Sequence, residues 1–287
     1  MTRIYLRRFR VRGYEMNATG HVHDSDFLNY VQQAAFEASA DVGYDTRRYD
    51  ELGSIWVIRK QTIVYLAPLT YDDTIEVTTW VSDIRRVQSH REYELRRVSD
   101  GRLVALARAN WVYIDTATLF PRRIPYEAVE AFRPNGKCAL DAAPPLEPAQ
   151  ELKGRTFLYV HRVKSYELDN IRHVNNANYL NWLNQARLDA LADVGFPLGE
   201  GAVQLQNLGL MPSPVRYEIE YFIPAVAGDQ VEVHSRVVAA GATQLTWAHE
   251  IQRGGERLVA ARAVVCLEDG DSRPAPLPRE LLEAMND

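Results

Sequence analysis

Apolar side chains recur at helical spacing in two places along the chain. The later stripe ends at Gly195, a residue type that often terminates a helix in a left-handed conformation, and Asn175 or Asn176 is its expected N-cap. The earlier stripe is expected to begin at Asp24 or Ser25 and to end at Gly43. The two sets of apolar positions are Leu28, Val31, Ala35, Ala38 and Val42, then Tyr179, Leu180, Leu183, Ala186, Ala190, Leu191 and Val194.

Segments typical of β-strands surround each helix. A short extended segment precedes each helix, at 5–14 and 156–166, and β-branched and aromatic residues dominate four segments after it. Turn residues separate these segments, as at Gly254-Gly255. The pattern predicts an α+β fold in which each half is an antiparallel sheet around one central helix. The eight strand segments are 55–68, 74–82, 89–98, 102–114, 216–223, 230–238, 244–252 and 257–267.

The two halves are copies of one another. Residues 10–43 and 162–195 align without a gap, and 15 of the 34 positions are identical. A repeat unit of half the chain is too long for a solenoid and indicates a duplicated domain. We expect an N-terminal domain at 1–140, a proline-containing linker at 141–151 and a C-terminal domain at 152–287.

Composition favours a soluble globular protein. Apolar residues make up 46% and charged residues 25% of the 287 residues, and no apolar segment is long enough for a signal peptide or a membrane span. Cys138 and Cys266 lie far apart, which argues against a disulfide framework or a zinc site. We therefore expect a cytoplasmic protein with no membrane partner, no metal and no organic cofactor.

Charge is distributed unevenly. Residues 1–140 contain 20 Lys and Arg against 18 Asp and Glu, while the rest contain 13 against 20, so the total is −5. Arg85 and Arg86 belong to an arginine-rich region that is either a solvated sheet face or a docking surface for an acidic partner. Negative total charge and the lack of an aromatic platform among these arginines argue against nucleic acid.

The copies differ at one chemically important position. The loop before the second helix contains Asp169, and the first copy has Asn17 in its place. A carboxylate acts as a general base near neutral pH, whereas an amide does not. If this loop is an active site, the second copy carries the activity.

The segment His173-Val174-Asn175-Asn176, with the Tyr and Trp that follow it, resembles the acyl-ACP thioesterase family, whose members are hot-dog proteins. In the first copy, Trp56 and the segment 75–80 are similar to that family's first domain. The resemblance implies a tandem (double) hot-dog fold. It also implies catalytic roles for Asp169, His173 and Asn175, and substrate-binding roles for Asn176, Ala177, Asn178 and Tyr179.

Three features depart from the family pattern. The family's middle Asn falls on Ile171, with Asn170 adjacent to it, and the later Glu-Cys pair of plant members falls on Pro224-Ala225. The helix position that is often Glu in the family is Gln185. Of the family's catalytic pattern, this chain therefore retains an aspartate that precedes the start of a helix. Unsatisfied N–H groups around 175–178, at the positive end of the helix dipole, are suited to hold an oxyanion.

The resemblance implies hydrolysis of fatty-acyl thioesters of acyl carrier protein (ACP) or coenzyme A by a monomeric pseudo-dimer or a homodimer. Asp169 is then a general base or a nucleophile. Two alternatives stay open. One is a hot-dog hydratase or dehydratase of enoyl or 3-hydroxyacyl thioesters, in which Asp and His are normally one residue further apart than Asp169 and His173 are. The other is a non-catalytic module that binds acyl thioesters.

Overall fold

The chain divides into two compact units, Met1–Ala143 and Pro144–Asp287. The structure, a computed structural model, describes residues 3–196, 209–269 and 273–286. The predicted repetition is present in the secondary structure, because each unit has a leading strand, a short 3-10 helix, one long helix and four long strands in that order.

The first unit is a five-stranded antiparallel sheet with one long helix against it. Its strands lie in the order β1-β3-β4-β5-β2, and α1 contacts β1 and β3. Two shorter helices, α2 and α3, flank the sheet. The elements are β1 Ile4–Arg10, α1 Asp24–Asp41, α2 Thr46–Leu52, β2 Ser54–Tyr65, β3 Thr74–Arg85, β4 Gln88–Arg97, β5 Leu103–Asp115 and α3 Tyr126–Phe132.

The second unit repeats this arrangement. Its long strands lie in the order β7-β9-β10-β11-β8, and α4 contacts β7 and β9. Two two-residue strands, β6 and β12, pair with β9 and β11. The elements are β6 Gln150–Glu151, β7 Phe157–Arg162, α4 Asn176–Asp193, β8 Met211–Tyr221, β9 Gln230–Ala240, β10 Gln244–Arg253, β11 Glu256–Glu268, β12 Pro274–Ala275 and α5 Arg279–Asn286.

The long helices begin and end for local reasons. Asn175 caps α4, since its side chain accepts a hydrogen bond from Ala177 N at 3.0 Å. The prediction for α1 is wrong, because its N-cap is His23, and Asp24 is already helical. Gly43 and Gly195 follow the two helices with φ of +84° and +88°, in the left-handed region that glycine enters without steric cost.

Burial of the predicted apolar stripes holds each helix on its sheet. Leu28 and Val31 of α1 and Leu180 and Leu183 of α4 are fully buried. Each such side chain contributes about 1.5–3 kcal/mol relative to an exposed one. The core is therefore built from the positions that the three- and four-residue spacing selects.

Most of the segment expected to be a linker, from Pro144 onward, belongs to the second unit. Within 141–151, the carboxylate of Glu147 accepts hydrogen bonds from the backbone N–H groups of Thr243, at 2.9 Å, and Gln244, at 2.6 Å. Gln150–Glu151 forms β6 on the edge of β9. These contacts order a stretch whose proline content indicated only a connection.

Candidate active site

A closed loop precedes α4 and contains the predicted catalytic residues. Asp169 N–H donates to the His173 carbonyl at 2.8 Å, and Arg172 N–H donates to the Asp169 carbonyl at 3.1 Å. The Asp169 carboxylate closes the loop from within, because its Oδ1 accepts from Ile171 N at 3.0 Å and from His173 N at 3.2 Å. The backbone thus brings Asp169 and His173 together, and both side chains are half-buried.

The first unit has the same loop without the charge. Asn17 Oδ1 accepts from Thr19 N at 2.9 Å and from His21 N at 3.1 Å, and Asn17 N–H donates to the His21 carbonyl at 2.7 Å. One oxygen therefore maintains the loop in both units, whether it belongs to an amide or to a carboxylate. The difference between the copies at this position is one negative charge on a shared frame.

His173 is held through its backbone. The described hydrogen bonds join Asp169 to His173 N and O, and no side chain among the described residues hydrogen-bonds the His173 imidazole. The imidazole can therefore contact a substrate without breaking a described contact. This geometry joins the two residues in one loop but places no Asp–His side-chain pair in it.

The expectation of unsatisfied amides at the start of α4 is wrong for three of them. Asn175 N–H donates to the Glu167 carbonyl at 2.9 Å, Ala177 N–H to the Asn175 side chain, and Asn178 N–H to the Asn175 carbonyl at 2.9 Å. The cap and the preceding turn use these donors. The helix dipole still places partial positive charge at this end of α4.

The predicted substrate-binding residues separate into two groups by burial. Ala177 and Tyr179 are almost fully buried, and Tyr179 Oη accepts a hydrogen bond from Ala225 N at 2.8 Å. Burial raises the pKa of Tyr179 to about 12. Asn176 and Asn178 are half-buried, and Asn178 Nδ2 donates to the Glu167 carbonyl. Tyr179 therefore anchors the helix start next to the position of the plant Glu-Cys pair.

Glu167 connects the loop to the rest of the unit, a role that the sequence analysis missed. Its buried carboxylate accepts from Lys164 N at 2.7 Å, from Trp182 Nε1 at 2.9 Å and from His161 Nε2 at 3.0 Å. Burial alone would raise the pKa of Glu167, but the hydrogen bonds from His161, Lys164 and Trp182 together lower it. Glu167 thus joins β7, which contains His161, to the segment around Lys164 and to α4, which contains Trp182.

Glu15 does the same in the first unit with different partners. Its buried carboxylate accepts from Arg12 N and Nη1 and from Tyr30 Oη, at 2.6–2.7 Å. The sequence signal was the identity of Glu15 and Glu167 in the repeat, at a buried position where an unpaired carboxylate would be costly.

The arginine-rich region is exposed but partly paired. Arg85, with 78% of its side chain exposed, contacts Asp83 at 2.6 Å. Arg86 is exposed at the tip of the β3–β4 hairpin, and its carbonyl accepts from Ile124 N at 2.9 Å. This hydrogen bond places the tip beside the segment that carries Arg122 and Arg123.

No described helix is both long enough and apolar enough to cross a membrane. In the same part of the chain, His, Cys, Asp and Glu side chains form no group of three or more suited to a metal ion.

Comparison with known proteins gives two family matches. Residues 2–132 match the acyl-ACP thioesterase N-terminal domain, and residues 163–285 match the thioesterase-like superfamily. An acyl-[acyl-carrier-protein] hydrolase of Cuphea viscosissima is 24% identical over 193 residues, which cover 63% of this chain and 46% of the plant protein. Oleoyl-acyl carrier protein thioesterase 2 of Arabidopsis thaliana is 26% identical over 200 residues, with 62% and 53% covered. The chain thus spans about half the length of these relatives.

Solved structures are similar over nearly the whole chain. A 12:0-ACP thioesterase from Umbellularia californica has a TM-score of 0.73 at 18% identity, with 92% of this chain and 94% of that one covered. An acyl-ACP thioesterase from Bacteroides thetaiotaomicron has a TM-score of 0.71 at 17% identity, with 92% and 98% covered. These likenesses confirm the tandem hot-dog fold. These matches confirm the expected resemblance to acyl-ACP thioesterases, since the first unit matches that family's N-terminal domain and the second matches the thioesterase-like superfamily.

Proposed function

We propose that the protein hydrolyses fatty-acyl thioesters carried by ACP or coenzyme A, with the reaction centred on the loop of the second unit. The observation that carries this proposal is the Asp169 loop itself. A carboxylate is fixed there by two backbone N–H groups, and the same frame in the first unit holds an amide. Both units match thioesterase families, which supports the same reaction class.

The chemistry requires a nucleophile, a base and a donor for the oxyanion. Water attacks the thioester carbonyl carbon while Asp169 accepts its proton, and the tetrahedral intermediate collapses with loss of the thiolate. The proton then passes to the thiolate, which leaves a free acid, a thiol and an ionised Asp169. Direct attack by the Asp169 carboxylate on the carbonyl carbon is the second route, through an anhydride that water then cleaves.

The remaining residues support this step in different ways. His173, whose imidazole has no described side-chain partner, donates to the carbonyl oxygen as it becomes negative. A well-placed donor of this kind contributes about 100-fold or more in rate. Asn175 acts by capping α4, and the residues from Asn176 to Tyr179 form the wall of the site at the positive end of the helix dipole.

Thiol release from a panel of acyl thioesters tests the proposal. We expect release of free thiol from saturated acyl-ACP and acyl-CoA. Hydration of an enoyl thioester without thiol release would support the hydratase alternative instead. Saturable binding with no turnover of any thioester would support the non-catalytic module.

A further inference from the structure

One residue of the Asp169 loop adopts a backbone conformation unsuited to its side chain. Arg172 has a φ of +66°, and its counterpart Gly20 in the first unit has a φ of +80°. The loop geometry therefore requires a left-handed residue at this position, and glycine meets the requirement without steric cost. An L-residue with a β-carbon is strained there. The second unit keeps an arginine where the first unit shows that glycine fits.

The arginine makes no compensating ion pair in the described part of the chain. Its side chain is exposed, and no carboxylate among residues 3–196, 209–269 and 273–286 forms a salt bridge with it. Its described hydrogen bond comes from the backbone, with the N–H donating to the Asp169 carbonyl. The strain is therefore not offset by a contact of the guanidinium within these residues.

Arg172 is a cation in the acidic half of the sequence. Residues 141–287 contain 13 Lys and Arg against 20 Asp and Glu, a net charge of −7. Arg172 lies between Asp169 and His173 in sequence. The Arg172 side chain is exposed to solvent, whereas the side chains of Asp169 and His173 are half-buried. Arg172 is thus an exposed cation three residues from Asp169.

We propose that Arg172 binds the phosphate of the phosphopantetheine arm that carries the acyl thioester. This inference rests on the proposed thioester hydrolysis and specifies how the substrate is recognised. Acyl groups on ACP and on coenzyme A are attached to the same phosphopantetheine arm, so one cation can bind the phosphate of either carrier. A guanidinium donates two parallel N–H groups to phosphate oxygens, a geometry that lysine lacks.

The experiment compares two substrates that differ only in the phosphate. These are decanoyl-4′-phosphopantetheine and decanoyl-pantetheine, and the readout is the ratio of their kcat/KM values. For the wild-type chain at low salt we expect a ratio of about two to five in favour of the phosphate, and a smaller one at 0.5 M salt. R172Q and R172G should both bring the ratio close to one.

The Tm of the variants distinguishes a phosphate-binding role of Arg172 from a purely structural one. R172G relieves the strained backbone, so its Tm should rise by about 2–4 °C, whereas R172Q keeps the strain and should change Tm little. A residue that only supported the loop would not yield a variant with higher Tm and lower phosphate discrimination. The matched control is G20R in the first unit, which should lower Tm and leave the ratio unchanged.

Two results would overturn the inference. One is a wild-type ratio of one, and the other is a ratio that survives in both R172Q and R172G. If the wild-type chain hydrolysed no thioester, the proposed function would fail, and Arg172 would be tested separately. Calorimetric Kd values for phosphopantetheine and pantetheine should then show the same ratio and the same loss in R172Q, and equal Kd values would reject the phosphate site.

Discussion

Replacing Asp169 with asparagine removes a charge and leaves the loop intact. In the first unit an asparagine amide oxygen makes the equivalent contacts, at 2.9 and 3.1 Å, against 3.0 and 3.2 Å for the Asp169 carboxylate. We therefore expect Asp169→Asn to shift Tm by less than about 2 °C, which corresponds to under ~1 kcal/mol for a chain of this size. Loss of the general base should lower kcat by about 100-fold or more, equivalent to ~2.7 kcal/mol of barrier.

The matched control, Asn17→Ala, should give the opposite pattern. It removes the oxygen that accepts from Thr19 N and His21 N, so it should cost about 1–3 kcal/mol of stability while most turnover remains. Thiol release from acyl-CoA and thermal unfolding, measured on both variants, provide the comparison. Equal losses of kcat from the two substitutions would refute the one-sided site, and full activity in Asp169→Asn would remove Asp169 from the mechanism.

Two further predictions concern charge. Reversing Arg85 and Arg86 to Glu should raise KM for acyl-ACP at low salt and change little for a short carrier-free thioester, because exposed charges act mainly on encounter with the carrier; equal effects on both substrates would reject docking. Burial, together with the charge of Arg187, lowers the pKa of His249 from 6.5 to about 3. The unfolded chain therefore takes up a proton that the folded chain does not, so stability is complete above pH 6.5 and falls towards pH 3 by up to ~1.4 kcal/mol per unit. In His249→Gln, the free energy of unfolding measured in urea should depend less steeply on pH between 6.5 and 3 than in the wild-type chain. An unchanged pH dependence would contradict the assignment.

Much of the fold could be predicted because its signals are local and occur twice. β-branched and aromatic content located seven of the eight long strands to within three residues at each end, whereas β8 begins five residues before its predicted start. Gly254-Gly255 marked a hairpin that the structure contains, with φ of +56° and +82°. The short helices α2, α3 and α5 were missed, since seven or eight residues carry little periodicity. The Glu147 contacts were missed because they join positions almost a hundred residues apart.

The candidate site was predictable only in part, for a related reason. The difference between Asp169 and Asn17 is visible in the sequence, and it identifies the unit with the carboxylate. The partners of Glu167 are not visible, because His161 and Trp182 come together with it only when β7 and α4 pack. The hydrogen bonds that the N–H groups at the start of α4 make to the Glu167 and Asn175 carbonyls also depend on the conformation of the segment before the helix.

Comparison of the two units provides a physical criterion that separates residues needed for the loop structure from residues with a chemical role. Glu15 and Glu167 remain identical although their partners differ, since each ties a loop to its helix and an unpaired buried carboxylate would be costly. Positions 17 and 169 differ without a change of loop geometry, because the frame needs only an oxygen there. A difference that the frame does not require reflects something other than folding. By that criterion the carboxylate of Asp169 and the strained Arg172 are the residues that we propose for function, and experiments on this chain should begin with them.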